Sequence, residues 1–388
     1  MNKKYADVFK PGTYPEMTYV SRLSGETRYT YEERLQQSLS IDGYLTYIVG
    51  PSKIGKTVLC EKVIGRKNMI PMSGNDFAKE HDFWFAIGKK VGLSMNAQIS
   101  EQNSDFSANE QRATVVTKDY LGNKDRVIEY FRANRKVLVL DDFHYAPEEV
   151  QYDIACQLKE VVRLGFKAVV ISLPYRSDDA IRLNPDLTGR ISVIEIYPWE
   201  DDELKQIAQK GFDELAITVE EELIAKMAME SIHSPQLMQS VCLNIGLLPQ
   251  NSSVITNEVV EESCRFTCMN LPYADVVRVL KAGPPTRGQK RLQYQLQDGS
   301  HRDIYSLMLK VLSDNPPLIE IEMKELMYRI QENLGEIKVT TKKVRDALRN
   351  WNKVLDGLGA LYQVFDWKDD TLHILDNLFL FYIRWMLF

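Results

Sequence analysis

The sequence predicts an α/β fold: a parallel sheet with helices on both faces, followed by an all-helical lid and a smaller C-terminal domain. Apolar runs at 44–49 and 137–140, and another within 166–176, lack polar alternation, as expected of strands buried on both faces of a parallel sheet. Segments with apolar residues every three or four positions, typical of helices, lie between and after these runs. The 388 residues, 44% of them hydrophobic and 26% charged, are enough for two or three domains with separate cores.

The first apolar run leads into the loop GPSKIGKT, which matches the pattern G-x-x-x-x-G-K-[ST] and precedes the helical pattern VLCEKVIG. Glycines let successive backbone N–H groups turn toward phosphate oxygens, and the N-terminus of the following helix adds its positive dipole end. Lys56 is expected to reach the β- and γ-phosphates, and the Thr57 hydroxyl to ligate Mg²⁺. The predicted nucleotide-binding residues are Gly50, Pro51, Ser52, Lys53, Ile54, Gly55, Lys56 and Thr57.

Two aspartates follow the second apolar run, at the carboxyl end of a predicted strand, where ligands bind in open α/β sheets. We expect Asp141 to hold the metal, directly or through water, and Asp142 to orient or deprotonate the attacking water. Adjacent aspartates after a strand also cap helices, but their combination with a phosphate loop favours the catalytic interpretation. The pair therefore predicts hydrolysis and not binding alone.

The order of these features resembles that of the AAA+ and STAND superfamily of P-loop ATPases. The chain reads phosphate loop, VLVLDD, a third strand, an arginine before a fourth strand (DLTGRISVIEIYPW) and then helices. The acid pair DD resembles that of the STAND branch. The resemblance covers about residues 9–250 and implies a P-loop sheet with an additional strand, ATP and Mg²⁺ as ligands, and self-association. Adenine over guanine rests on the family, since no Asn-Lys-x-Asp guanine reader occurs.

The resemblance also implies roles for residues outside the two motifs. Ser172, which ends the third strand, stands where such ATPases sense the γ-phosphate. Arg190 stands where an arginine stabilises transition-state charge, often on a neighbouring subunit's nucleotide; a local ion pair with Asp186 is the alternative. In FKPGTYPEMTYVSR, Val20 and Arg22 belong to a motif that runs beside the adenine.

The segment IHSPQLMQSV lies where the family has its second sensor or a Gly-x-Pro turn. Pro235 can start a helix whose beginning faces the nucleotide. Gln236 follows it, so the usual sensor arginine is absent, which favours the STAND branch.

The C-terminal pattern predicts a winged helix. After a linker at 281–302 we expect helices at 304–312, 321–334 and 341–355, and then a hairpin with strands at 360–365 and 371–375 that turns at 367–370. The tail LHILDNLFLFYIRWML resembles the end of this domain in STAND-type and archaeal ATPases, with Asn377 replacing the usual proline. The predicted domains are an ATPase core at 1–198, a lid at 199–280, the linker and a winged-helix domain at 303–388.

The third predicted helix of this domain is basic. KVTTKKVRDALRNWNK (338–353) has six basic residues and one acid, in a chain of net charge −6. A winged helix lays this helix in the major groove of DNA, where basic side chains neutralise phosphates. Protein contact, self-association and a passive solvated face are the alternatives. The candidate DNA-binding residues are Lys342, Lys343, Arg345, Arg349 and Lys353.

Composition sets further bounds. Five scattered cysteines indicate free thiols, and neither an apolar run after MNKK nor an apolar stretch of about 18 residues occurs, so we expect a cytoplasmic protein without a membrane span. The polar stretch 94–111 is expected to be an irregular, mobile insertion.

Two functions fit these features. The first is a STAND-type ATP-driven switch that acts on a partner encoded elsewhere, with phage defence as one setting suggested by prokaryotic relatives. The second is an AAA+ ATPase loaded on duplex DNA, resembling origin-binding or transposition-regulating ATPases. The intact motifs speak against a degenerate ATPase scaffold, and the absence of a substrate-pocket motif speaks against a small-molecule kinase.

Overall fold

The computed structural model describes residues 3–78, 82–95, 98–103, 114–119, 123–143, 146–173, 189–249, 254–286, 288, 290–356 and 364–388. The chain forms two compact units. One, the sheet unit, comprises residues 21–51 and 55–197. The other, the helical unit, comprises residues 1–20, 52–54 and 198–388.

The helices are α1 (Tyr5–Val8), α2 (Tyr31–Ser40), α3 (Lys56–Ile64), α4 (Gly74–Ala78), α5 (Phe83–Lys90), α6 (Asn123–Ala133), α7 (Glu148–Val162), α8 (Asp201–Glu214), α9 (Glu221–Glu230), α10 (Pro235–Ile245), α11 (Asn257–Met269), α12 (Ala274–Ala282), α13 (Ile304–Leu312), α14 (Met323–Leu334), α15 (Thr341–Asp356) and α16 (Asn377–Leu387). The strands are β1 (Leu45–Val49), β2 (Met69–Ser73), β3 (Gln98–Asn103), β4 (Thr114–Asp119), β5 (Val137–Asp141), β6 (Ala168–Ser172), β7 (Ile191–Glu195), β8 (Tyr294–Gln295), β9 (His301–Arg302), β10 (Glu320–Glu322), β11 (Phe365–Lys368) and β12 (Thr371–Ile374).

A five-stranded parallel sheet in the order β2-β5-β6-β1-β7 organises the sheet unit, which confirms the predicted α/β class. Every residue of β1 and β6 is buried, as their uninterrupted apolar sequences require when helices cover both faces. Strand β2 was not predicted, because its sequence MIPMS contains a proline; β2 is an edge strand, where Pro71 is tolerated.

Parallel pairing aligns the carboxyl ends of the strands. Ser73 of β2 pairs with Asp141 of β5, and Val49 of β1 pairs with Ser172 of β6. Four strand ends therefore meet at one edge of the sheet, the edge from which the phosphate loop emerges.

The stretch 94–111 is only partly described. Residues 98–103 form β3, which pairs antiparallel with β4, so this part is regular and the expectation of an irregular segment is wrong there. Residues 96–97 and 104–111 lie outside the described residues.

The helical unit contains helices α8 to α12 in sequence, as the all-helical segment after the sheet predicts. Helix α10 packs against α8 and α11, and α11 also packs against α16. All five cysteines are free, and burial raises the thiol pKa of Cys242, Cys264 and Cys268, which keeps them protonated and unreactive.

Among the described residues, the C-terminal region has helices α13, α14 and α15, a small antiparallel sheet in the order β10-β12-β11, and the final helix α16. Helix α13 has the predicted bounds, whereas α14 begins at Met323 because the residues before it form strand β10. The predicted hairpin is present, and its second strand begins at Thr371 as expected. Its first strand extends to Lys368, so Trp367 lies within β11 and the turn is only Asp369 and Asp370, both with positive φ as a two-residue hairpin turn requires. The predicted strand residues 360–363 lie outside the described residues.

The segment predicted as a linker, 281–302, holds the short hairpin β8–β9. Among the helices that the structure describes, none has the length and apolar character needed to cross a bilayer.

Candidate nucleotide-binding site

The phosphate loop joins β1 to α3, as predicted. Gly55 precedes the first residue of α3 with φ 96° and ψ 20°, a left-handed conformation that glycine adopts without steric cost. Lys53 also has a positive φ, 63°, although its side chain disfavours it. The first backbone N–H groups of α3 have no acceptor within the helix, and such a helix start can receive an anion.

Lys56, the first residue of α3, folds its side chain back over the loop. Its Nζ donates to the carbonyl oxygens of Gly50, at 2.8 Å, and Pro51, at 2.6 Å, and the residue is 9% exposed. Burial lowers the pKa of Lys56 from 10.5 to about 8, against the attraction of the Asp141 and Asp142 carboxylates. An ammonium held beside carbonyl groups that it can exchange for phosphate oxygens suits a binding role.

Thr57 and Asp141 come from different elements and meet. The Thr57 Oγ1 donates to Asp141 Oδ2 at 2.5 Å. A hydroxyl and a carboxylate oxygen are the protein ligands that Mg²⁺ uses beside phosphates, and Mg²⁺ completes its shell with phosphate and water oxygens. The described residues contain no cluster of three or more His, Cys, Asp or Glu at metal-binding distance. The donors therefore fit Mg²⁺.

Asp142 follows directly, with φ 49°. Its backbone N–H donates to Asp141 Oδ1 at 3.0 Å, which helps to orient the Asp141 carboxylate. The residue as a whole is exposed, yet partial burial of the carboxylate and the adjacent Asp141 charge raise its pKa, while Lys56 lowers it. An exposed carboxylate beside the candidate metal ligand Asp141 could accept a proton from water.

Two serines flank these carboxylates at the carboxyl edge of the sheet. Ser172 is 7% exposed and pairs with Val49, the last strand residue before the phosphate loop. Ser73 pairs with Asp141 and was missed by the sequence reading, because β2 was not recognised. Ser172 thus lies beside the strand that leads into the phosphate loop, and its role as a γ-phosphate sensor stays a prediction.

Arg190 is not brought to this edge. Its carbonyl oxygen accepts from Leu45 N at 2.8 Å, which places it at the amino end of β7 beside the start of β1. A five-residue strand at about 3.3 Å per residue separates that end from the phosphate loop by about 16 Å. The fold therefore gives no support for a role of Arg190 in the nucleotide site of its own chain. Asp186, the alternative ion-pair partner of Arg190, lies outside the described residues.

Arg22 is buried in the sheet unit and is engaged in structure. Its Nη1 donates to the carbonyl oxygen of Tyr197 at 3.1 Å, and its guanidinium lies 5.5 Å from the centre of the Tyr31 ring. Tyr31 N in turn donates to the Arg22 carbonyl at 3.0 Å. These contacts anchor the N-terminal segment beside the residues that follow β7.

Val20 and Pro235 both belong to the helical unit. Val20 is 5% exposed, and the segment before it is tied to α10 by a 2.6 Å bond from Gln239 to Thr18. Pro235 is the first residue of α10, with Ser234 as its N-cap. His233 has φ 56°, the conformation that glycine takes in a Gly-x-Pro turn, and its Nδ1 lies 2.6 Å from the Trp199 carbonyl oxygen.

The basic helix α15 has fewer uncommitted charges than its sequence indicates. Arg345 makes a two-bond ion pair with Asp370, at 3.0 and 2.5 Å. The Lys343 ammonium lies 4.9 Å from the centre of the Tyr294 ring, and Arg349 is 3.7 Å from Asp346. Lys342, Arg349 and Lys353 are exposed.

Lys53 of the phosphate-loop pattern forms an ion pair with Asp376, which lies near the C-terminal end of the sequence. Lys53 Nζ lies 3.1 Å from Asp376 Oδ1, and the Tyr273 hydroxyl donates to the other oxygen of Asp376. Asp376 is also the N-cap of α16, through a 3.1 Å bond from Leu378 N. Lys53, Tyr273 and Asp376 all belong to the helical unit. The sequence showed Asp376 only as part of a tail motif, since a contact across 323 positions has no local signal.

No protein-family model and no curated protein sequence matches the chain. Solved structures with a similar course of the chain include a Walker-type ATPase of Pyrococcus abyssi, at 13% identity, covering 91% of this chain and 94% of that chain, with a TM-score of 0.48. Cdc6p from Pyrobaculum aerophilum is similar at 14% identity, with 98% and 97% covered and a TM-score of 0.46. The ORC2 protein of Aeropyrum pernix is similar at 10% identity, with 95% and 97% covered and a TM-score of 0.47.

Proposed function

We propose that this chain binds ATP with Mg²⁺ and hydrolyses it, and that it works as a STAND-type switch that regulates a partner or an assembly. The observation that carries the ATPase proposal is the meeting of two distant motifs. Thr57, the last residue of the phosphate-loop pattern, bonds to Asp141 at 2.5 Å, and Asp142 follows with its backbone bonded to the same carboxylate.

In the proposed reaction, loop N–H groups and the Lys56 ammonium hold the β- and γ-phosphates. Thr57 and Asp141 hold the Mg²⁺, which neutralises charge on the phosphate oxygens. Asp142 accepts hydrogen bonds from the attacking water and takes its proton as the water oxygen bonds to the γ-phosphorus. The bond from this phosphorus to the bridging oxygen breaks, which leaves ADP and phosphate. Ser172 is proposed to donate to the γ-phosphate.

Titration calorimetry and steady-state hydrolysis test this proposal. Lys56→Ala should abolish ATP binding, because it removes the ammonium that faces the phosphates. Lys62→Ala, an exposed lysine on the same helix, is the matched control and should bind as the unaltered protein does. Full ATP affinity in Lys56→Ala, or an unaltered protein with no ATP-dependent phosphate release, would refute the proposal.

The C-terminal order of three helices and a hairpin supports a winged helix at 303–388, after the core at 1–198, the lid at 199–280 and the linker at 281–302. Self-association on ATP binding would let Arg190 act on a neighbour's nucleotide, since its own site lies at the opposite end of the strand. A cytoplasmic location of this chain, an unidentified protein partner and a setting in phage defence belong to the same proposal.

A second candidate is an ATPase loaded on duplex DNA, favoured by the exposed Lys342, Arg349 and Lys353 on α15. Hydrolysis with and without duplex DNA across a salt series separates the two. Stimulation that fades with salt, and is lost in Lys353→Glu but kept in Lys324→Glu on α14, supports DNA loading. Turnover that is indifferent to DNA at every salt concentration supports the switch.

A further inference from the structure

We propose that Gly74, which directly follows β2, is a positioning residue for hydrolysis. Because Gly74 has no side chain, its backbone can contact the backbone of Asp142, Phe143 and Ala146, and this contact sets the position of the Asp142 carboxylate. The inference rests on the proposed ATPase activity, which it extends to a residue that lies outside both motifs.

The contact is between backbones. A Cβ on Gly74 would lie 2.5 Å from Ala146 N, 2.9 Å from the Asp142 carbonyl oxygen and 3.0 Å from the Phe143 carbonyl oxygen. Real Cβ atoms essentially never come closer than 3.0 Å, and backbone atoms cannot rotate away as side chains do. At Gly211 and Gly246, by contrast, an added Cβ would meet atoms of aromatic and threonine side chains.

The turn itself is held from the other side. Ala146 N donates to the Phe143 carbonyl at 3.1 Å, and the Phe143 side chain is 3% exposed within the core of the sheet unit. The turn therefore lies between a buried anchor and the Gly74 backbone. A methyl group at position 74 has to displace the turn or the end of β2.

The displacement is expected to fall on Asp142. Asp141 is fixed by its pairing with Ser73 in the sheet and by its bond to Thr57. Asp142 is the first residue beyond that pairing, and its φ of 49° already departs from the usual regions. An added methyl group thus moves the water-activating carboxylate while the phosphate loop and the metal ligands stay in place.

The test is Gly74→Ala, with Gly12→Ala as the matched control because a Cβ at Gly12 meets nothing within 4 Å. Gly74→Ala should lower kcat about tenfold or more and leave the Kd for MgATP within about twofold, since a misplaced catalytic group costs rate and not binding. Gly12→Ala should match the unaltered protein in both.

A double-mutant cycle separates positioning from general damage. If Gly74 acts through Asp142, adding Gly74→Ala to Asp142→Asn should cause no further loss of kcat. An equal loss in both backgrounds, or an unchanged kcat in Gly74→Ala alone, would overturn the inference while leaving the ATPase intact. No hydrolysis by the unaltered protein would instead refute the proposed function.

If Gly74→Ala fails to fold, Phe143→Leu tests the same turn from its anchored side. It should lower kcat at unchanged Kd, and this loss too should vanish in the Asp142→Asn background. Full activity of a folded Phe143→Leu would overturn the inference.

Discussion

We expect Lys56 to strengthen nucleotide binding but to lower the free energy of unfolding of the protein without nucleotide. Replacing Lys56 with methionine should show both effects. The ammonium is buried, and its pKa falls from 10.5 to about 8 even though Asp141 and Asp142 attract it. The folded protein therefore stabilises the charged lysine less well than water does in the unfolded chain. Methionine has a similar length and no charge to desolvate.

The magnitude follows from the pKa difference. About 2.5 pKa units at about 1.36 kcal/mol each amount to a penalty of about 3 kcal/mol. Below pH 8 the lysine is charged in both folded and unfolded protein, so the penalty applies in full. As the pH rises from 8 to 10.5, the folded lysine loses its proton first and the penalty disappears. In Lys56→Met the hydrogen bonds to the carbonyl oxygens of Gly50 and Pro51 are lost, and each loss cancels about 1 kcal/mol of the stability gained by removing the penalty. Lys56→Met should thus be more stable by about 1 kcal/mol at pH 7.

Urea unfolding of both proteins at pH 7 and pH 10 measures this difference, and calorimetric titration measures MgATP binding. We expect loss of binding at both pH values and a stability gain at pH 7 only. Lys62→Met, on the exposed face of α3, should change stability by less than about 0.5 kcal/mol. A Lys56→Met protein less stable than the unaltered one at pH 7, or equally stabilised at both pH values, would refute the reasoning.

Three further predictions concern single carboxylates. Asp142→Asn should lower kcat about 100-fold or more with the Kd for MgATP within twofold, measured by hydrolysis and calorimetry; unchanged turnover would assign water activation to another group. Glu230→Ala should lower the free energy of unfolding by about 3–5 kcal/mol, because it leaves the buried guanidinium of Arg384 without its 2.7 Å partner. Asp202→Ala, in a pair whose carboxylate is 89% exposed, should cost less than about 0.5 kcal/mol, and equal losses in urea would contradict this account. Asp376→Asn keeps the cap of α16 but frees the Lys53 ammonium for phosphate, so the Kd for MgATP should fall about two- to fivefold at low salt; an unchanged Kd there would show that the ion pair does not compete with phosphate.

The sequence by itself determined the parts of the site that are contiguous. The phosphate loop needs glycines, a lysine and a threonine at fixed spacing, because its chemistry uses neighbouring backbone N–H groups and one helix terminus. The aspartate pair could also be predicted from the sequence. A strand buried on both faces is apolar up to its carboxyl end, where ligands bind in open α/β sheets, so two acids directly after such a run stand out. Helix α13 was predicted to the residue because its apolar spacing is strong and Asp303 caps it.

Only the tertiary structure decided which distant residues share that site. Parallel register placed Ser73 and Gly74 beside Asp141 and Asp142, and it placed Arg190 at the opposite end of its strand. Ion pairing across long separations joined Asp376 to Lys53 and occupied Arg345 of the basic helix with Asp370. Local patterns report backbone conformation and one-sided burial, whereas these contacts depend on how whole elements pack, so no short stretch of the sequence contains them.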